Sequence, residues 1–279
     1  MNRRHLLTLP LAGLAATPVS LPAEARPAPL PVVDTQVWLG QHPWRHLPEL
    51  SFPEESGVTE AWAGSFESWL HRDLDEVNSR LAERCHRFPG PTRLRAFGAV
   101  DPTRSGWEET LRRCAKDHAM PGLRLLPGPH GYDLEHPALV ECLAAAAEAR
   151  LLVQLAIRLE DARTLAQVSW KEVSPAPLPA LMRPGLRIQL LNALPTLADR
   201  LLLKRLVDAE IRFDHAMLEG IAGVAQFEEK LPGALLFGSY APFFIAESAH
   251  LKLVESALPA TTVIDLCWRR AEAWSSHLP

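Results

Sequence analysis

The chain has 279 residues, a net charge of −4 and no run of lysine or arginine, which argues against a nucleic-acid partner. Behind a short leader, about 250 residues remain, enough to bury one large core as a single α/β domain. No later apolar stretch is long and unbroken enough to suggest a membrane helix, so no stable membrane insertion is expected once the leader is removed.

Residues 1–28 have a basic start, an apolar stretch interrupted by Pro10 and Pro18, and small residues at Ala23–Ala25. This is the layout of an export signal, and the pair Arg3-Arg4 resembles a twin-arginine signal. The expected location is therefore outside the cytoplasm, periplasmic or extracytoplasmic. Residues 29–279 form the expected folded domain.

Short apolar runs then alternate with amphipathic segments. Strands are predicted near Val32–Trp38, Val58–Gly64, Leu94–Val100, Gly122–Leu126, Leu151–Ile157, Leu186–Asn192, Ile211–Met217 and Leu235–Tyr240. Between them lie helical patterns. In Asp73–Phe88, for example, Leu74, Val77, Leu81 and Cys85 recur at helical spacing behind an acidic start. Eight strand–helix alternations predict a parallel (β/α)8 barrel. The stretch 40–57 holds three prolines and little periodicity, so the first unit is expected to lack its helix. An open doubly wound sheet is disfavoured because no glycine-rich phosphate loop follows the first strand. The four cysteines, Cys85, Cys114, Cys142 and Cys267, are widely spaced and are read as buried thiols.

In such a barrel the C-terminal strand ends and the loops after them make the functional mouth. That rule selects Gln36, Trp38, Arg124, Gln154, Arg158, Asn192, Asp214, Glu219 and Tyr240, with Arg45, His71 and His130 on nearby loops. If β1 alternates regularly, Asp34, Gln36 and Trp38 share one face. Trp38, Trp44, Trp62 and Phe243 offer an apolar wall.

The stretches "VVDTQVWLG" (32–40), "GLRLLPGPHGYDL" (122–134) and "LLFGSYAPFF" (235–244) together resemble the amidohydrolase-related TIM barrels. The resemblance implies a hydrolase-like enzyme or a relic of one. Metal-dependent members carry Asp-x-His-x-His on strand 1, histidines ending strands 5 and 6, and an aspartate after Gly-Ser on strand 8. The matching positions here are Gln36 and Trp38, Gln154, Asn192 and Tyr240, and Leu126 stands where strand 4 often ends in histidine.

None of these is a good metal ligand, so the expectation is no cofactor. The alternative is one divalent metal such as zinc, gathered by His42, His46, His71 and His130. The expected chemistry is metal-independent hydrolysis of a small carboxylated amide, ester or lactone. Asp214 would activate water, Gln36, Asn192 and Tyr240 would stabilise the developing oxyanion, and Arg124 or Arg158 would hold the carboxylate. Gln154, Trp38, His130 and Glu219 complete the expected substrate-binding set. The competing reading is an inactive barrel that binds a small molecule or a protein, and the sequence leaves room for a homo-oligomer.

Overall fold

The computed structural model describes residues 29–160, 170 and 173–276. The expected export signal lies outside the described residues. Eight parallel strands follow one another around a single sheet in chain order. They are β1 Val32–Leu39, β2 Val58–Ser65, β3 Arg93–Gly98, β4 Gly122–Leu125, β5 Leu152–Ala156, β6 Arg187–Leu191, β7 Arg212–Asp214 and β8 Leu235–Leu236. The stretch after β8 closes the ring on β1: Thr35 N donates to Phe237 O at 2.9 Å, Tyr240 N to Gln36 O at 2.8 Å and Trp38 N to Ala241 O at 2.8 Å. The expected (β/α)8 barrel is what forms.

The crossover helices bury one face each. Helix α1 (Leu74–His86) starts at Asp73, whose carboxylate accepts from Glu76 N at 3.0 Å. Its Leu74, Val77, Leu81 and Cys85 are buried against the barrel, each apolar burial contributing roughly 1.5–3 kcal/mol. Helix α2 (Trp107–Lys116) buries Trp107, Leu111 and Cys114 in the same way. Between β1 and β2 only a three-residue turn, Glu54–Ser56, interrupts extended chain, so the first unit does lack its helix. All four cysteines are free and buried.

The interior is layered. At the N-terminal end Val33, Trp62, Phe97, Leu152 and Leu236 pack under Trp274 from the last helix. Trp62 therefore belongs to the floor of the barrel and not to the expected wall of its mouth. Above it, inside the ring, lies a polar layer of Thr35, Arg124, Gln154 and Gln189. At the C-terminal end Trp38, Phe66, Trp69, Leu126 and Tyr240 form an apolar cluster with Trp44, Trp170 and Phe243 packed on it.

The alternation expected of β1 fails at one point. Asp34 pairs with Ala61 and Val37 with Ala63, so three steps on β1 oppose two on β2. This bulge re-aims the side chains. Asp34 lines an outer cavity with Phe237 and His250, while Thr35 turns inward to the hydroxyl–amide contact with Gln189.

Candidate functional site

The polar layer is a connected network. Arg124 is 1% exposed and donates from Nε to Gln154 Oε1 at 2.9 Å, from Nη1 to Val37 O at 2.7 Å and from Nη2 to Trp62 O at 2.9 Å. Its guanidinium also lies 4.6 Å from the Trp38 ring centre, a cation–π contact in a dry interior. Burial lowers its pKa to about 9, against the opposing pull of Asp34, Tyr240 and Asp214. Gln154 Nε2 donates to Thr35 O at 2.7 Å and to Gln189 Oε1 at 2.8 Å, and Gln189 Nε2 donates to Thr35 Oγ1 at 2.7 Å. The structure thus engages Arg124 and Gln154 in holding β1, β2, β4, β5 and β6 together. Gln189 escaped sequence reasoning, although its place two residues into β6, level with Gln154, is the signal that finds it.

Asp214 is 2% exposed and both its oxygens are occupied, Oδ2 by Asn192 N at 2.6 Å and Oδ1 by Ala216 N at 2.8 Å. Burial nevertheless raises its carboxyl to about 6, a value in the range of a general base. His215 faces the helices as a core residue, its Nε2 lying 3.2 Å from Ala249 O. Asn192 and Tyr240 leave their strands with φ of 57° and 62°, conformations that non-glycine residues hold only when their surroundings impose them. Both are tied by backbone N–H and by side chain: Asn192 N donates to Asp214 and Tyr240 N to Gln36 O, while Asn192 Nδ2 donates to Arg158 O at 2.9 Å and Tyr240 Oη to Leu159 O of one segment.

That segment leads to Glu160, whose buried carboxylate meets the β1–β2 segment. Glu160 Oε1 accepts from Trp44 Nε1 at 3.0 Å, and Oε2 accepts from Arg45 Nη2 at 2.6 Å. His42 Nε2 lies 3.2 Å from Oε1, and its pKa falls to about 4 because it is buried. His42 Nδ1 accepts from Trp44 N at 3.4 Å, which assigns the ring proton to Nε2, an atom that itself forms no hydrogen bond. Arg158 turns its Nε to Glu160 O at 3.1 Å. His130 sets its Nε2 3.0 Å from Ser68 O, and Glu219 is exposed on the loop after β7. Of the loop histidines, His46 and His71 are exposed and stand apart from His42.

The mouth is also where buried polar atoms lack partners. Those without a hydrogen bond include both amide atoms of Gln36, the indole N–H groups of Trp38, Trp69 and Trp170, Arg45 Nε and Asn192 Oδ1. Folded proteins rarely leave such atoms unsatisfied, and each costs about 1–3 kcal/mol. Five of the seven are N–H donors. The rings that carry them touch: Trp38 and Trp69 lie 5.6 Å apart, and Trp69 and Trp170 6.4 Å. A groove of about 640 Å³ opens beside this cluster, with Trp38, Leu47, Arg84 and Phe88 among its lining.

No protein-family model matches the chain, and no curated protein matches it. Solved structures do. A 2,6-dihydroxybenzoate decarboxylase from Rhizobium superposes with a TM-score of 0.64 at 14% identity, over 88% of this chain and 98% of that one. A 5-carboxyvanillate decarboxylase from Novosphingobium aromaticivorans, solved with bound manganese, gives 0.58 at 13% over 80% of this chain and 78% of that one. A Staphylococcus aureus protein named as an amidohydrolase gives 0.60 at 11% over 79% and 88%. At such identities the likeness fixes the fold alone: the chain adopts the same (β/α)8 barrel as these proteins.

The comparison corrects one expectation. Because barrels of this type are found holding manganese, the expectation of no cofactor does not stand. Among the described residues, however, no group of three or more His, Cys, Asp or Glu side chains is placed to hold an ion. The buried centre of the ring is held by the Gln154 and Gln189 amides and the Arg124 guanidinium, a set with a resident cation that does not fit a divalent ion.

Proposed function

We propose that the mouth of this barrel binds a small, acceptor-rich molecule, a carboxylated aromatic or acyl compound, in an extracytoplasmic setting. The observation that carries this reading is the concentration of unpartnered buried N–H donors on Gln36, Trp38, Arg45, Trp69 and Trp170. A ligand with a carboxylate or acyl oxygens supplies the acceptors these donors lack, and the surrounding indoles supply a flat apolar wall. The aromatic carboxylate named with the 2,6-dihydroxybenzoate decarboxylase is a ligand of this chemistry. Export rests on the sequence of residues 1–28.

A second reading adds turnover: hydrolysis of that ligand's amide, ester or lactone bond. Asp214 favours it, a carboxyl raised to about 6 by burial and held beside the Asn192 amide. Against it, both Asp214 oxygens already accept backbone N–H groups. Binding without turnover is therefore the leading reading.

Gln36→Leu tests the binding site. A residue kept for a ligand costs the empty protein stability, so replacing two unpartnered polar atoms with methyl groups is expected to stabilise the free protein by about 1 kcal/mol. It is also expected to abolish the melting-temperature shift that a panel of benzoates and aryl lactones, tested with manganese supplied, gives the natural protein. A destabilised Gln36→Leu variant that keeps the shift would overturn the assignment. Release of product from any panel member would establish turnover.

A further inference from the structure

The β1–β2 segment sets three nitrogen-bearing side chains within four residues against one carboxylate, two of them as donors. His42, Trp44 and Arg45 all face Glu160, whose side chain has no solvent exposure. Trp44 Nε1 donates to Oε1 and Arg45 Nη2 to Oε2, so the carboxylate is gripped along both oxygens, while His42 Nε2 stands 3.2 Å from Oε1 without forming a hydrogen bond. The surroundings are those of a pocket for a flat anion. The His42 ring sits 4.9 Å from Phe66, 5.0 Å from Trp69 and 5.8 Å from Phe243, and the Arg45 guanidinium lies 5.4 Å from the Phe243 ring. Arg45 reaches solvent, its side chain being 35% exposed, Trp44 is partly buried, and Arg45 Nε still lacks an acceptor.

We propose that His42, Trp44 and Arg45 form a carboxylate-binding subsite, and that the chain's own Glu160 fills it until a ligand carboxylate takes its place. The inference deepens the ligand reading above by naming the three residues that hold the ligand's anionic end. Exchange conserves the hydrogen bonds within the subsite: an incoming carboxylate accepts from Trp44 Nε1 and Arg45 Nη2 as Glu160 does. Glu160 then leaves the site with its segment, and Asn192 and Tyr240, tied to Arg158 O and Leu159 O, are released with it. Glu160 is in this sense a specificity residue. A ligand that cannot replace a carboxylate does not open the mouth.

The test is chemical rescue. In Glu160→Ala the Trp44 and Arg45 donors are left without their acceptor, and acetate is the probe. Calorimetric melting of the full chain is followed with sodium acetate against equal sodium chloride. The expected result is a rise of about 3 °C once acetate exceeds its Kd tenfold, absent in the natural protein and absent when Arg45→Met is added. An equal response to chloride, or none to acetate, overturns the proposal. If Glu160→Ala folds only in acetate, that dependence is itself the rescue. If it folds in neither salt, Glu160→Gln keeps the shape without the charge, and a smaller acetate response is expected, its absence being decisive against the subsite. Rescue by acetate with no panel compound bound by the natural protein leaves the subsite standing and removes the ligand reading. Ligand binding by the natural protein with no rescue does the reverse.

Discussion

Arg124 shows how one side chain can look like a ligand clamp in the sequence and serve the fold instead. A guanidinium at a strand end, near a mouth, is the group expected to grip a substrate carboxylate. Here all three of its nitrogens already donate to Gln154, Val37 and Trp62. Space around it is equally committed, because a Cβ on Gly64 would stand 2.7 Å from Arg124 Cδ and Nη1. Arg124→Met is therefore expected to strand one amide and two carbonyl acceptors in the interior and to lose about 3–5 kcal/mol, read by urea denaturation. Arg124→Lys is expected to recover little of this, since one ammonium cannot span three acceptors on separate strands. A loss under about 1 kcal/mol for Arg124→Met would show that the network holds nothing together.

At the scale of the element, most strands and helices were legible because each carries its own period, apolar runs in the strands and a repeat such as Leu74, Val77, Leu81 and Cys85 in α1. The proline-rich stretch 40–57 announced the missing first helix just as plainly. What stayed hidden was the bulge in β1, since an extra residue leaves no mark on composition yet sends Asp34 and Thr35 to opposite faces from those that alternation assigns. The grip of Glu160 on His42, Trp44 and Arg45 was hidden for a different reason, being a contact across 115–118 positions of chain.

Helix-to-strand ties were hidden in the same way, and Asn78 on α1 is an example. Its Nδ2 donates to Ala99 O at 2.9 Å and its Oδ1 accepts from Ala99 N at 2.8 Å, an amide pair that holds α1 to the exit of β3. Asn78→Ala leaves both buried backbone groups of Ala99 unpaired and is expected to cost about 2–4 kcal/mol. Hydrogen exchange is expected to speed up in α1 and at Ala99 before the other strands. Uniform acceleration across the barrel would show that the pair is not a local tie.

Over the whole molecule, the buried titrating groups work in opposite directions. Burial raises Asp34 and Asp214 to about 6 and lowers His42 and His215 to about 4. The folded chain holds the carboxyl protons more tightly than the unfolded chain, so these two groups make stability fall as pH climbs from about 4 to about 6. The histidines do the opposite, since the unfolded chain binds their protons more readily, and they make stability rise from about 4 to about 6.5. Together the four flatten the profile across that window. Asp214→Asn removes one falling contribution, worth about 3 kcal/mol, so the variant's stability is expected to climb with pH between 4 and 6.5 relative to the natural protein. Denaturant titrations at pH 4.5 and 7 measure this, and parallel profiles would show that the Asp214 carboxyl is not raised.

The two ends of the barrel also differ in how they interact with light. Trp38, Trp44, Trp69 and Trp170 stand in a chain of ring contacts at the mouth, with neighbouring centres 5.6–6.4 Å apart, while Trp62 and Trp274 stack at 6.5 Å on the floor. Indoles this close couple their electronic transitions, so each end has its own near-ultraviolet circular dichroism. Departure of Glu160 would take the acceptor from the Trp44 indole, shift the first set of bands and leave the second intact. The molecule carries its own optical gauge of whether its mouth is shut.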